Sequence, residues 1–401
     1  MWQKIKNVYH LGVAVLANLV FLYPARGMKV IGVTGTDGKT TTVNLIYHIL
    51  KVSGKKVSMI SSISAVINGK SFDTGSHVTT PSSFALEKFL YKAKKAKSEY
   101  FVLEVTSHSV DQNRIFGIPF KVGVLTNVTN EHLDYHKTYD NYLKTKAKLL
   151  KKSEFCIVNS DDSSYTLLAD IKSLKPKDNW ITYGLTESSD YNPKTVDIRS
   201  STLIGEFNKY NVLAAVAACI SLDIPVDLIK KALKTFEIPI GRANYVYQND
   251  FSVMIDFAHT PNAFENILSA LKPSVKGRII HVFGSAGERD AAKRPFLGEI
   301  SSQYADILVL TSEDPRSEDS NKIISEIEEG AKKERAEVIK IPDRKEAIEA
   351  GIQMAKKGDL VLITGKAQEA SINLDEKEYP WDEFAVVKDA INKREKDYEK
   401  N

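Results

Sequence analysis

The run Gly32-Val-Thr-Gly-Thr-Asp-Gly-Lys-Thr-Thr-Thr42 carries the residue types that grip phosphate. A glycine-rich turn between a strand and a helix aims backbone N–H groups at one point, and the helix N-terminus adds its positive end. Lys39 can reach the outer phosphates of a nucleotide, and the Thr40 hydroxyl can hold Mg²⁺. The general GxxxxGK[ST] spacing is not met, because Val33 stands where its first glycine would. The tighter Gly35-x-x-Gly38-Lys39-Thr40 is present instead. Glu104 falls at the end of an apolar run, where a carboxylate can hold the Mg²⁺ of a nucleotide. His132, Asp134 and His136 alternate, which in an extended chain puts all three on one face. On their own they fit a polar turn more readily than a metal site. Lys144, Lys146, Lys148, Lys151 and Lys152 read as a solvated helix face.

These residues need strands and helices to position them. Lys29 to Val33 is a short β-branched run, and Val43, Ile46, Tyr47 and Leu50 follow at helical spacing, closed by Gly54. Val57 to Ile60, Phe101 to Val105, Val122 to Leu125 and Phe155 to Val158 read as buried strands. Helical patterns cover Tyr139 to Leu150 and Asn208 to Ile220. A boundary is expected near Pro239-Ile240-Gly241, and the alternation then restarts. Ser252 to Ile255, Arg278 to Val282, Asp306 to Leu310 and Asp359 to Ile363 are strand candidates; Pro261 to Leu271, Asn321 to Lys333 and Arg344 to Lys356 are helical. The fold class is α/β. A central parallel-sheet P-loop ATPase domain (28–239) precedes a smaller Rossmann-like α/β C-terminal domain (240–401).

Residues 1–27 stand apart as an apolar leader. Its apolar core, Leu11 to Leu22, is short for a membrane span and contains Asn18. A helix packed on the domain, or lying in a membrane interface, fits better than a spanning anchor or a cleaved signal. The 401 residues, 43% hydrophobic and 26% charged, exclude a disordered or collagenous chain. A net charge of +4 with no basic stripe gives no argument for nucleic acid. Two cysteines without a CxxC pair exclude a zinc ribbon and fit a reducing cytosol.

Taken in order, several short motifs resemble the Mur ligases, and most of all their tripeptide-forming type. They are Gly35-Thr-Asp-Gly-Lys-Thr-Thr, Glu104-Val-Thr-Ser-His108 with Gln112 and Arg114, and Glu131-His-Leu-Asp-Tyr-His136. Gly205-Glu-Phe-Asn208-Lys-Tyr-Asn211, Gly241-Arg242, Asp256-Phe-Ala-His259-Thr-Pro261 and Lys293-Arg294-Pro295 continue the series. So do Thr311-Ser-Glu-Asp-Pro-Arg316, Gly365-Lys366, Glu369 and Pro380-Trp-Asp382. The resemblance runs from about Met28 to about Val387.

It implies an ADP-forming ligase in peptidoglycan precursor synthesis. ATP phosphorylates a substrate carboxylate, and an amino acid's amine attacks the acyl phosphate. By resemblance, Gly35, Thr36, Asp37, Gly38, Lys39, Thr40 and Thr41 hold ATP with Asn208, Asn211, Arg242 and Asp256. Thr40 and Glu104 hold one Mg²⁺, and His132 and an N-carboxylated Lys146 the second. Lys39, Glu104, His132 and Lys146 are the catalytic set. Thr79, Thr80, Thr106, Gln112 and Arg114 would hold a muramoyl peptide. Arg294, Asp314, Arg316, Gly365 and Glu369 would hold the incoming amino acid. The partners implied are these two substrates and no nucleic acid. The expectation is a cytoplasmic monomer with peripheral membrane contact through the leader.

The chain departs from the family in three places. Glu313-Asp314-Pro315-Arg316 replaces the diaminopimelate-type Asp-Asn-Pro-Arg, and an Asp there favours an ammonium, as in lysine, while Arg316 favours a carboxylate. Gly365-Lys-Ala-Gln-Glu369 replaces Gly-Lys-Gly-His-Glu. Only 27 residues precede the match, so the usual N-terminal UDP-gripping domain is expected to be missing. A ligase for another acyl carrier or a folylpolyglutamate-like substrate, and a non-catalytic ATP-binding scaffold, are the alternatives.

Overall fold

The computed structural model describes residues 2–75, 79–129, 131–170, 179–198, 203–332 and 335–400. Asn130 before the histidine cluster, the Lys333 end of one expected helix, Asn401 and the side chain of Asp134 lie outside this description. The chain divides into two compact units, residues 1–203 with 207–237 and residues 204–206 with 238–401.

In the first unit, eight strands among the described residues form one sheet. They are β1 Lys29–Thr34, β2 Val57–Ile60, β3 Ala65–Ile67, β4 Lys70–Phe72, β5 Tyr100–Glu104, β6 Phe120–Leu125, β7 Ser153–Asn159 and β8 Trp180–Tyr183. Their order is β4-β3-β2-β5-β1-β6-β7-β8. β3 runs antiparallel to β2 and β4, and every other pair is parallel. β1 is covered on both faces, which is why it reads as an unbroken apolar run. Ile31 and Val33 pack on one side, with Ile46 of the helix Lys39–Val52 and Leu213 of the helix Glu206–Ile220. Val30 points to the other, with Leu90 of the helix Ser83–Lys95 and Leu149 of the helix Tyr139–Lys151. The chain reverses direction across the sheet at β1, so the loops at its C-terminal end have room for a ligand.

The leader forms a helix, Trp2–Val20, and no described helix is long and apolar enough to cross a membrane. Ala14, Ala17 and Asn18 are buried. The Asn18 amide gives its protons to Ala14 O and Phe116 O, 3.0 and 2.9 Å away. Glu87, on Ser83–Lys95, is buried with neither carboxylate oxygen hydrogen-bonded. Burial lifts its pKa to about 7, and Asn18 beside it offsets this only in part.

A carboxyl whose folded pKa is raised is tolerated in its neutral form. Its contribution is intact below the unfolded value and is lost as pH rises from about 4.5 to about 7. Glu87→Gln is therefore expected to raise stability at pH above 7 by about 3 kcal/mol, with little change below pH 4.5. Chemical denaturation of both proteins across that range is the check.

In the second unit, β9 Asn244–Gln248, β10 Ser252–Asp256, β11 Ile279–Phe283, β12 Ile307–Leu310, β13 Glu337–Lys340 and β14 Leu360–Thr364 form a sheet ordered β13-β12-β11-β14-β10-β9. All pairs are parallel except β9 with β10. A hairpin, β15 Ser371–Leu374 with β16 Lys377–Pro380, follows β14. Beneath the ends of β12 and β14, Arg344 and Glu383 form a fully buried ion pair at 2.5 Å. Arg344 also donates to Ser312 O and Thr364 O, tying both loops to one cation.

Candidate active site

In the first unit the loop after β1 is held by β6 and by the helix Tyr139–Lys151. Gly35 has a φ of 155° and Gly38 a φ of 80°, and a Cβ at either would overlap Thr126 Oγ1 or Asn211 Oδ1. Both glycines are thus fixed by close approach as well as by backbone conformation. Thr126 Oγ1 donates to Asp37 O at 2.6 Å, and Asp37 N donates to Asn127 Oδ1 at 2.9 Å. Thr36 Oγ1 accepts from Thr129 N at 3.0 Å and lies 3.3 Å from the Tyr142 hydroxyl. Lys39, opening the helix, turns its Nζ back to Thr36 O at 2.6 Å.

Thr40 Oγ1 lies 3.2 and 3.1 Å from the two Glu104 oxygens, and both residues are buried. Ser62, after β2, donates its N–H to Glu104 Oε2 at 2.8 Å, and its hydroxyl lies 2.9 Å from Thr40 Oγ1. This is a compact set of hard oxygen donors from the ends of β2 and β5 and the first turn of the helix Lys39–Val52, of the kind that holds Mg²⁺ with the help of phosphate oxygens and water.

Lys146 is the exception to the solvated helix face read from sequence. It is 1% exposed, whereas Lys144 and Lys148 point outward. Its Nζ donates to Gly35 O at 2.6 Å and sits 4.4 Å from the Tyr142 ring centroid. Burial first, and then Lys39, pull its pKa well below the usual lysine value.

His132, Asp134 and His136 do not share a strand face, because Leu133–His136 is a helical turn entered through His132 at φ 55°. The His136 ring is bonded to Ser107 Oγ at 3.0 Å instead. His132 stays near the loop, with its ring 6.0 Å from that of Tyr142 and 5.1 Å from that of His108. Its side chain keeps 39% of its surface exposed, yet its pKa falls to about 4. Desolvation is the main cause; Glu131 opposes it, and His108, Lys146 and Lys39 add to it. At neutral pH the ring is uncharged and able to ligate. Among the described residues no three His, Cys, Asp or Glu side chains converge on a ready-made metal site.

Asn208 and Asn211 are joined by a 2.9 Å hydrogen bond, and Asn211 Oδ1 accepts from Thr42 at 3.4 Å. On the other flank, Thr80 Oγ1 donates to Glu104 O at 2.9 Å and accepts from Thr106 N at 3.1 Å. Arg114 gives Nη1 to Thr80 O at 2.7 Å and clasps Gln112 Oε1 with Nε and Nη2. Four of the five residues assigned to the peptide substrate thus form one network running back to Glu104. Thr79 adjoins them in the chain, half-buried.

In the second unit the Asp256 carboxylate accepts from Ala243 N and Ala258 N, both at 2.7 Å, pinning the Gly241–Ala243 turn to the end of β10. Burial raises its pKa. Arg242 lies over the Phe257 ring at 4.7 Å and donates to Gln368 Oε1 at 3.1 Å. Asp314 does not present a bare carboxylate. Both of its oxygens accept from the buried Lys366 Nζ, at 2.9 and 3.0 Å, and Asn373 N adds a third bond. Lys366 also reaches Glu369 at 2.6 Å. Arg294 is buried and held by Glu318 and Glu326 at 2.9 and 2.6 Å. Arg316 sits at φ 55°, bridged to Leu374, and its guanidinium has no partner among the described residues. Gly365, at φ 105°, admits the Glu313 carboxylate where a Cβ would stand.

Residues 33–219 match the Mur ligase middle domain, and residues 241–367 the Mur ligase glutamate ligase domain. The chain is 38% identical over 389 residues to UDP-N-acetylmuramoyl-L-alanyl-D-glutamate–2,6-diaminopimelate ligase 1 of Clostridium acetobutylicum, covering 92% of this chain and 79% of that protein. The chain belongs to the Mur ligase family. The corresponding ligase of Aquifex aeolicus is 37% identical over 392 residues, covering 94% of this chain and 80% of that one. A solved structure of a UDP-N-acetylmuramoyl-L-alanyl-D-glutamate–2,6-diaminopimelate ligase is 26% identical with a TM-score of 0.61, covering 92% of this chain and 79% of that chain.

Several residues of this Mur ligase site escape sequence reading. Ser62 follows β2 in a plain serine pair, with nothing to mark it beyond its place at a strand end. Tyr142 belongs to none of the sequence motifs, yet its hydroxyl lies beside Thr36 and its ring beneath Lys146. Lys366 belongs to a quoted motif, but its pairing with Asp314 spans 52 residues.

Proposed function

We propose that this chain joins diaminopimelate to UDP-N-acetylmuramoyl-L-alanyl-D-glutamate, with ATP converted to ADP and phosphate, in peptidoglycan precursor synthesis. The observation that carries the reading is the buried Thr40–Glu104 oxygen pair beneath the Gly35–Thr41 loop, with Lys146 anchored on the same loop. The loop N–H groups and Lys39 hold the ATP phosphates, Lys39 leaving Thr36 O to do so. Asn208 and Asn211 contact the adenosine, with Arg242 and Asp256 as further nucleotide contacts. Arg114, with Thr79, Thr80, Thr106 and Gln112, orients the peptide so that its free carboxylate meets the γ-phosphoryl group. Mg²⁺ held by Thr40 and Glu104, and a second ion held by His132 and an N-carboxylated Lys146, would neutralise charge on the phosphoryl oxygens. A carboxylate oxygen attacks phosphorus and ADP leaves. The amine, having lost its proton, then attacks the acyl carbon, and phosphate departs as the amide forms. The enzyme works as a cytoplasmic monomer, a compartment that its ATP and nucleotide-linked substrate share.

For the amino acid, Lys366 is shared by Asp314 and Glu369, so the trio keeps a negative charge that can meet an ammonium of either amino acid and does not choose between them. The Arg316 guanidinium, without a partner among the described residues, suits a carboxylate fork. This favours diaminopimelate over lysine, as do the names of the relatives. The test supplies Mg·ATP, the muramoyl dipeptide, and either amino acid, and weighs the product by mass. Phosphate release should need both substrates, and diaminopimelate should exceed lysine in kcat/KM by at least about a hundredfold. Equal use of lysine would mean that Arg316 does not decide the choice. ATP binding with no product from either would favour the scaffold reading.

A further inference from the structure

The helix Trp2–Val20 has an inward face of small residues and an outward face that ordinary surface helices do not have. Val8, Tyr9, Leu16, Leu19, Val20 and Leu22 are between 54 and 76% exposed. No charged side chain interrupts the sequence from Asn7 to Ala25. A helix in contact with water normally turns charged and polar residues outward, and one that is apolar all round is normally covered. At 1.5 Å per residue the outward strip from Val8 to Leu22 is about 20 Å long.

Along the chain, the charge that flanks this strip has one sign. The first acidic residue of the chain is Asp37, whereas Lys4, Lys6, Arg26 and Lys29 come before it. On the neighbouring helix, Ser83–Lys95, the only acid is Glu87, which is buried and held towards its neutral form. Phe84, Lys88, Tyr91 and Lys95 follow one another along a single face of that helix at three- and four-residue steps. This stripe adjoins the end of the leader. The Phe21 ring lies 6.5 Å from that of Phe84 and 5.9 Å from that of Tyr91, and Lys95 Nζ sits 5.4 Å from the Tyr91 ring centroid. Phe84 is itself exposed and extends the apolar strip. Arg26 stands over the Tyr23 ring at 4.2 Å. Arg26 and Lys152 both line a shallow cleft of about 460 Å³, with Phe116 and Gly117, against which Asn18 of the leader packs. Asp111, which accepts from Asn7, is mostly buried and places no carboxylate on the outward strip.

An apolar strip rimmed by lysine and arginine, on a helix too short in apolar length to span, has the make-up of an in-plane interfacial helix. We infer that this face docks on a lipid surface with anionic headgroups. The leader side chains enter the acyl boundary, and Arg26, Lys88 and Lys95 meet the phosphates. A second copy of the chain would bring the same cations face to face, and a neutral partner would leave them without counter-charge.

The test is flotation of the full chain with vesicles of phosphatidylglycerol and phosphatidylcholine in equal parts, beside vesicles of phosphatidylcholine alone. The wild type should float with the anionic vesicles several times more than with the neutral ones, and raised salt should weaken the effect. Leu16→Glu with Leu19→Glu should lower binding at least about tenfold, since both side chains leave the acyl boundary. Lys88→Glu with Lys95→Glu should do the same by charge alone. All these positions are exposed, so unchanged unfolding temperature and unchanged ligation in solution would certify the variants. Absence of wild-type flotation would overturn the inference, as would flotation indifferent to these substitutions. Overturning it too, in favour of a second copy, would be a dimer that ignores vesicles and dissociates on Leu16→Glu with Leu19→Glu.

Discussion

Lys146→Gln is expected to lower ligation by about 10²–10³-fold while leaving the fold intact. Lys144→Gln and Lys148→Gln should stay within about twofold, since exposed surface substitutions have small effects. The contrast follows from burial. Lys144 pairs with Asp140 at the surface, while Lys146 lies inside with its Nζ on Gly35 O. A buried ammonium is costly, and here a second cation, Lys39, faces it. Both effects favour the neutral amine, and a neutral amine is the form that adds CO₂, giving a carbamate and a proton. The carbamate would exchange a disfavoured cation for an anion beside Lys39 and the neutral His132. Lys146→Ala should accordingly regain part of its activity when a short carboxylic acid is supplied. Full activity of either variant without rescue would remove Lys146 from the catalytic set.

Glu104→Gln is the second large effect. It preserves the shape of the side chain and an oxygen for the Ser62 N–H, but removes the one carboxylate within reach of Thr40 Oγ1 among the described residues. An amide is a poor ligand for a hard divalent cation beside polyphosphate. The expected result is a fall in kcat of about 10²–10³-fold and a shift of the Mg²⁺ dependence to higher concentration. ADP binding without metal should be little changed. An unaltered Mg²⁺ dependence would place the ion elsewhere.

Much of this site is legible in the sequence because its constraints are local. Gly35 and Gly38 must be glycine for reasons of backbone and close approach, and they lie between a strand and a helix that periodicity finds. Glu104 is readable because a strand ends there. What sequence does not reveal depends on burial or on distant partners. Five lysines near the end of one helix look alike until the fold buries Lys146. The alternation of His132, Asp134 and His136 suggests a strand, but Leu133–His136 turns as a helix and sends His136 to Ser107. Asp314 looks like a lone anion until Lys366, fully buried, is found shared between it and Glu369.

The architecture follows the same division. The α/β class and the central strands come from apolar runs that are covered on both faces. The hairpins β3–β4 and β15–β16 and the edge strands β8, β9 and β13 are short, polar-ended or half-exposed, and their runs carry too few apolar residues to stand out. The segment Glu337–Lys340, for instance, has exposed charges at both ends and pairs only along β12.

The acyl-phosphate route is the central claim, and isotope transfer tests it most directly. A muramoyl dipeptide carrying heavy oxygen in its reacting carboxylate would be turned over with Mg·ATP and diaminopimelate, and the released phosphate examined by mass. The account predicts that each phosphate carries one heavy oxygen from the peptide and that the nucleotide product is ADP. Unlabelled phosphate, or AMP as the product, would contradict it.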